Sequence, residues 1–170
     1  MRKLIAFTGK TCSGKSSAAR ELCSYHGFER LSCIHPIRVM MDSLCIPRDD
    51  KYIRVMRDVG AAIREIDPYL LLLPLARMVY GDKDTSFVVD DLRMAHEVPM
   101  LTELGFRIFR ITCPEEVRRR RMYERDGYWP TDEALHAVTE TDLDGYEFDE
   151  IDGSLPIEEF LREVERRVLT

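Results

Sequence analysis

The chain has 170 residues, 45% of them hydrophobic and 33% charged, a balance that fits one globular domain and excludes a disordered or fibrous chain. Its 25 Lys+Arg stand against 31 Asp+Glu for a formal net charge of −6, so no global field draws it onto nucleic acid or an anionic membrane. The cations are lopsided: only Lys3, Lys10, Lys15, Lys51 and Lys83 are lysines, and arginine, the side chain for bidentate grip on phosphate or carboxylate, supplies the rest.

Leu4–Thr8 reads as a buried strand, and Ala19, Leu22, Cys23 and His26 recur at i, i+3, i+4 and i+7 of a helix over 16–26. Between them lies Gly9-Lys10-Thr11-Cys12-Ser13-Gly14-Lys15-Ser16, which is G-x-x-x-x-G-K-[ST], a phosphate-binding loop with a strand before it and a helix after it. Its glycines let successive N–H groups turn toward phosphate oxygens, and the helix start adds a positive dipole end. A nucleoside triphosphate is the expected ligand, with Lys15 on the β/γ-phosphates, Ser16 on Mg2+ and Ser17 beside them. Cys12 reads as a small spacer. The N-K-x-D of guanine-specific switch proteins is absent.

Phe28–Cys33 reads as a second strand. From His35 to about Tyr80 the pattern is helical, broken near Pro47 and at Asp67-Pro68, where Asp67 is a candidate N-cap and Pro68 its N1 residue. That block is too long for a simple crossover and is expected to form a helical subdomain over one end of the sheet. Ser86–Asp90 is a short apolar strand ending in acid, followed by Asp91 and Arg93. A carboxylate there can hold Mg2+ through water or take a proton, and the arginine can clamp an acceptor phosphate. Asp91 is the favoured acid, with Asp90 the alternative.

Glu97–Leu104 is a helix closed by Gly105, and Phe106–Thr112 another strand. A helix from Pro114 to Arg125 then brings Arg118, Arg121 and Arg125 onto one face. Like charges there cost about 0.2–0.5 kcal/mol per pair unless an anion neutralises them, and triphosphate is the obvious anion. Glu115, Glu116 and Glu124 offer the competing reading of a solvated face. Asp126–Thr131 is a turn suited to a closing lid, with Trp129 a packing residue at its edge. Between Asp132 and Glu165 there are 13 acids against Arg162 alone, read as solvation of surface helices. Glu147–Asp152 is a last short strand, and Ile157–Val168 a terminal helix with Ile157, Phe160, Leu161, Val164 and Val168 on one face.

Strands alternating with helices predict an α/β fold of the P-loop NTPase kind, a parallel sheet of about five strands flanked by helices, with ligands at the strands' carboxyl ends. Residues 1–170 read as one domain, with 35–80 as acceptor-binding region and 114–140 as lid. The most apolar run, Leu70–Ala76, is far short of the ~20 residues that span a bilayer. Five scattered cysteines without C-x-x-C fit reduced thiols in the cytoplasm.

Asp91-Leu92-Arg93-Met94-Ala95-His96-Glu97 resembles the D-x-R-x-x-N-E stretch of phage-type deoxynucleoside-monophosphate kinases, with His96 at the Asn position. Cys33-Ile34-His35-Pro36-Ile37-Arg38 is similar to that family's A-D-P-[IL]-[KR] step. Arg54–Arg64 followed by Asp67-Pro68 resembles its R-x-x-[LM]-Q-x-x-G-T-x-x-R substrate segment, with Arg57 for Gln and Ala61 for Thr. Pro114–Val117 through Arg121–Gly127 resembles its lid, and Asp149–Ser154 its terminal nucleotide-side segment, which includes Gly153. Dephospho-coenzyme A kinases and animal-type phosphomevalonate kinases share this layout.

The expected activity is transfer of the γ-phosphoryl group of ATP, with Mg2+, to a (deoxy)nucleoside monophosphate. Residues 9–17, Arg121 and Gly153 would hold the donor, Ser16 and Asp91 the metal. Arg38, Arg54, Arg57 and Arg93 would hold the acceptor, while Lys15, Asp91, Arg93, Arg121 and Arg125 serve the transfer. The partners expected are small nucleotides, not nucleic acid or membrane, on a monomer or homodimer. The alternatives are a kinase for dephospho-coenzyme A or phosphomevalonate and a regulatory NTP-binding module.

Overall fold

Short apolar runs bounded by turn residues become strands: β1 (Leu4–Thr8), β2 (Phe28–Leu31), β3 (Ser86–Val89), β4 (Arg107–Thr112) and β5 (Asp149–Asp152). In a computed structural model, which describes residues 2–47 and 50–170, they form one all-parallel sheet in the order β2-β3-β1-β4-β5. β1 lies at the centre, Ala6 paired with Val89 of β3 and with Ile108 of β4. The chain leaves β1 toward opposite edges of the sheet on its two sides. That reversal opens a crevice at the carboxyl end of β1, where the phosphate loop begins.

Both faces are covered, as a parallel sheet requires. On one face α1 (Lys15–Tyr25) and the terminal helix pack Ala18, Leu22, Phe160, Val164 and Val168 against Phe7, Phe109 and Ile151. On the other, Leu75, Val79 and Leu101 cover Ala6, Phe87 and Val89. The fold is thus the P-loop NTPase-like one read from the sequence.

Between β2 and β3 the chain runs through α2 (His35–Ser43), α3 (Asp50–Ile66), a 3-10 turn at Leu70–Leu72 and α4 (Leu73–Gly81). This block has a small core of its own, made by Ile37, Met41, Tyr52 and Leu71. The expected N-cap at Asp67 is a turn instead: Asp67 Oδ1 accepts the Tyr69 N–H at 2.8 Å, and α4 begins only at Leu73 with Pro74 in its first turn. The intervening 3-10 turn sends Leu71 into the block's core and Leu72 into the sheet's, which explains the delay.

After α5 (Glu97–Glu103), α6 (Glu115–Asp126) is closed by Gly127 at φ 80°, a left-handed cap that favours glycine. Two single turns follow, α7 (Asp132–Leu135) and α8 (Val138–Thr141), before β5 and α9 (Ile157–Leu169). Among the described residues no helix is long and apolar enough to cross a membrane.

Candidate active site

The phosphate loop is held in one shape from several sides. Gly9 (φ 130°) and Gly14 (φ 121°) take backbone angles that side chains rarely allow, and Cys12 sits left-handed at φ 60° without being glycine. Lys15, 5% exposed, donates from Nζ to the carbonyls of Gly9 at 2.6 Å and Lys10 at 2.8 Å. Burial, and then the Arg93 charge, push its pKa down to about 7. Ser16 is exposed beside it. β5's end closes the loop from behind: a Cβ on Gly153 would lie 2.0 Å from the Ser13 carbonyl oxygen.

At the end of β3 both acids are already engaged. Asp90, its side chain 2% exposed, takes a bidentate pair from Arg30, Nε at 2.7 Å and Nη2 at 2.6 Å. Asp91 accepts the Ser32 hydroxyl at 2.5 Å and the Cys33 N–H at 2.9 Å, tying this loop to the end of β2. Glu97 is buried and accepts the N–H groups of Arg93 at 2.8 Å and Met94 at 3.0 Å. Burial outweighs those bonds and raises its carboxyl to about 7.

One cavity of about 800 Å³ spans these elements. Thr11, Cys12, Gly14, Lys15, Ser16 and Ser17 line it on the loop side, with Asp90, Asp91 and Gly153. Arg38, Arg57 and Arg64 also line it, Arg93 does so with Nη2 3.4 Å from Thr11 Oγ1 of the loop, and Arg121 and Arg125 reach it from α6. Arg121 Nη1 donates to the Gly153 carbonyl at 2.9 Å and the Cys12 carbonyl at 3.3 Å, while Arg125 pairs with Asp126. The lone tryptophan, Trp129, stacks on Tyr123 with centroids 4.8 Å apart just beyond that helix.

Several expectations need correction. Arg54 does not line the cavity: its side chain is 77% exposed beside Asp58, because the helical phase of α3 carries Arg57 and Arg64 to the cavity's edge instead. Lys10 turns its ammonium outward to Asp144 at 3.1 Å, leaving only its backbone to the loop. Arg118 does not share the working face of Arg121 and Arg125. It is 3% exposed and donates to the carbonyls of Cys113 and Thr11, a strut beneath the loop. Nor is the acidic stretch after Asp132 all solvated surface. Glu140 accepts the Thr11 N–H and hydroxyl, both at 2.6 Å, and Asp142 accepts the Ala95 N–H at 2.7 Å.

Arg64, Glu97 and Glu140 join the site beyond the residues singled out by sequence. Arg64 and Glu97 stand inside the motif-like segments, so their spacing carried a signal; Glu140 had none, being one acid among many.

The donor set fits a nucleoside triphosphate with Mg2+. A desolvated lysine, the opening turn of α1 and the loop residues Thr11, Cys12 and Gly14 line one concavity. No group of three or more His, Cys, Asp or Glu is arranged to hold a metal ion among the described residues. Mg2+ would therefore rest on Ser16, phosphate oxygens and water, as Mg2+ sites of this chemistry do.

No curated protein matches the chain by sequence. A gluconokinase from Sinorhizobium meliloti 1021 superposes with a TM-score of 0.59 at 22% identity, over 99% of this chain and 96% of its own. TT1252 from Thermus thermophilus gives 0.64 at 17%, over 99% and 96%. A shikimate kinase from Aquifex aeolicus vf5 gives 0.55 at 17%, over 98% and 96%. At these identities the likeness is one of fold, and none of the three is named a nucleoside-monophosphate kinase. A family model described as an AAA domain matches residues 5–135, and with the loop sequence and strand order it places the chain in the AAA domain family.

Proposed function

We propose that this protein is an ATP- and Mg2+-dependent phosphotransferase acting on a small phosphorylated acceptor, most simply a (deoxy)nucleoside monophosphate. The observation that carries this reading is the shared cavity, which the phosphate loop and Arg93 line together with Arg38, Arg57 and Arg64. Bound MgATP supplies the transferable phosphoryl group. The loop N–H groups and Lys15 bind its phosphates, and contact with them supplies the negative charge that keeps Lys15 protonated. Ser16 takes the metal, with Asp91 backing it through water. Arg57 and Arg38 grip the acceptor phosphate, and Arg93, held beside the loop, meets the terminal donor phosphate and the acceptor phosphate where they approach. Residues 35–80 form the acceptor-binding region, and 114–140 act as a lid, hinged at its fixed Glu140 end, that brings Arg121 and Arg125 onto the phosphoryl group and excludes water.

The engaged acids favour a phosphate acceptor over a hydroxyl one. A hydroxyl nucleophile needs a base, whereas a phosphate oxygen arrives ionised. Asp90 is held on both oxygens by Arg30 and Asp91 on both by Ser32 and Cys33; Glu97, whose two N–H groups share Oε2, is the acid a hydroxyl acceptor would have to use. A second reading is a kinase for another metabolite: the resemblance suggests dephospho-coenzyme A or phosphomevalonate, and the solved structures named gluconokinase and shikimate kinase add small hydroxy acids to the candidates. ADP release measured across nucleoside monophosphates, those two metabolites, gluconate and shikimate decides. Turnover stimulated by a nucleoside monophosphate supports the first reading. Stimulation only by another acceptor supports the second, and acceptor-independent turnover indicates a regulatory ATPase.

A further inference from the structure

We propose that Glu140 is a positioning residue of the donor site: its carboxylate holds Arg93 against the phosphate loop so that the guanidinium stands ready for the triphosphate. The proposal rests on the donor half of the reading above and is independent of the acceptor's identity.

Three donors converge on this one carboxylate. Thr11 N–H reaches Oε2 at 2.6 Å, the Thr11 hydroxyl reaches Oε1 at 2.6 Å, and Arg93 Nη1 donates to Oε1. The Glu140 side chain is 5% exposed and that of Arg93 30%, so the pair is shielded on the protein side and open toward the cavity. Burial alone would raise the Glu140 carboxyl, but Arg93 and the Thr11 hydrogen bonds outweigh it and keep the group ionised.

The need for such an anion follows from the charges around it. Lys15 and Arg93 are like charges close enough for Arg93 to depress the lysine. Without a counter-ion Arg93 would swing toward solvent and Lys15 would stand alone. Glu140 lets two cations wait side by side, so the ordering cost is met before the ligand arrives. Arg93 commits chiefly one nitrogen to Glu140; Nη2 has only a 3.4 Å contact with Thr11 Oγ1, which leaves N–H groups for phosphate oxygens.

A carboxylate on a phosphate loop could instead be a plug that competes with phosphate. The main chain around Glu140 argues against it. Asp142 is bonded to the Ala95 N–H, Leu143 is buried with its carbonyl on Arg110 Nη2 at 2.5 Å, and Asp144 pairs with Lys10. The segment is anchored at three successive acids or carbonyls, as a fixed strut is.

The test is calorimetric binding of AMP-PNP with Mg2+ and no acceptor, to wild type, Glu140→Gln, Arg93→Ala and the double variant. Glu140→Gln should weaken binding about tenfold. The double variant should bind no more than about twofold weaker than Arg93→Ala, since Glu140 acts through that residue. Glu140→Asp, which keeps the charge at shorter reach, should fall between wild type and Gln, and replaces the Gln variant in the cycle if that one does not fold. Binding by Glu140→Gln equal to or tighter than wild type overturns the proposal, as do losses that multiply in the double variant. No binding by wild type overturns both this inference and the donor site. Coupled losses without turnover on any acceptor overturn the kinase reading alone.

Discussion

The loop wall of the cavity and its arginine wall are held in different ways. On the loop side Lys15, Ser13 and Arg118 are each 5% exposed or less, and Gly153 backs the loop at a distance no side chain allows. On the other side Arg57 is 68% exposed and pairs with the neighbouring Asp58, and Arg38 is half-buried. Donor contacts are therefore set before binding, whereas acceptor contacts require long side chains to give up rotamer freedom when the ligand arrives. Tight, shape-specific donor binding and a more adaptable acceptor wall follow from that contrast.

Lys15→Ala should break the rigid wall at its centre. About a thousandfold loss of phosphoryl transfer is expected, roughly 4 kcal/mol, with the melting temperature kept or raised because a desolvated cation is removed. Wild-type turnover in that variant would sink the assignment of the loop.

Glu97 gives a pH signature between the walls. Its carboxyl is raised to about 7 in the folded protein against an ordinary 4.5, so the native state holds the extra proton. Stability from this group is present below about pH 4.5 and is lost as pH climbs to 7, by up to about 3 kcal/mol. Glu97→Gln keeps an oxygen for both N–H groups and should flatten that slope in urea melts run at several pH values.

Gly153→Ala tests how closely β5's end backs the loop. The methyl would meet the Ser13 carbonyl, and a loss of about 2 kcal/mol in denaturant midpoint stability is expected, with weaker nucleotide binding. An unchanged midpoint would mean that the two segments separate freely.

The arginine wall should respond more gently and with helical phase. Arg57→Ala should raise the acceptor KM about tenfold with kcat little changed, whereas Arg54→Ala should change neither by more than about twofold. Equal effects at both positions would erase the contrast drawn from α3.

Much of the rigid wall was legible in the sequence because its chemistry is local. Gly9, Gly14, Lys15 and Ser16 lie within eight residues, and Leu4–Thr8 leads straight into them. The arginine wall was legible only in outline. Arg54 and Arg57 both sit in a motif-like segment, and choosing between them needs the rotation of α3 against Ile37 and Met41, which side-chain packing decides. Glu140 was illegible for a different reason. Its partners Thr11 and Arg93 are 129 and 47 residues away, and its near neighbours in sequence are the same acids that ordinarily face water. Pro68 misled in a third way: a proline suits a helix start, but the apolar demand of Leu71 and Leu72 moved the start to Pro74's helix.

The small separate core under α2 and α3 has a dynamic consequence. Because Ile37, Met41, Tyr52 and Leu71 form a patch of their own, this block can open as a unit without disturbing the sheet. Its amides should exchange with deuterium well before those of β1 and β3, and occupation by the acceptor should slow them. The floor on which the acceptor rests would then be the least stable part of the molecule until the acceptor itself completes it.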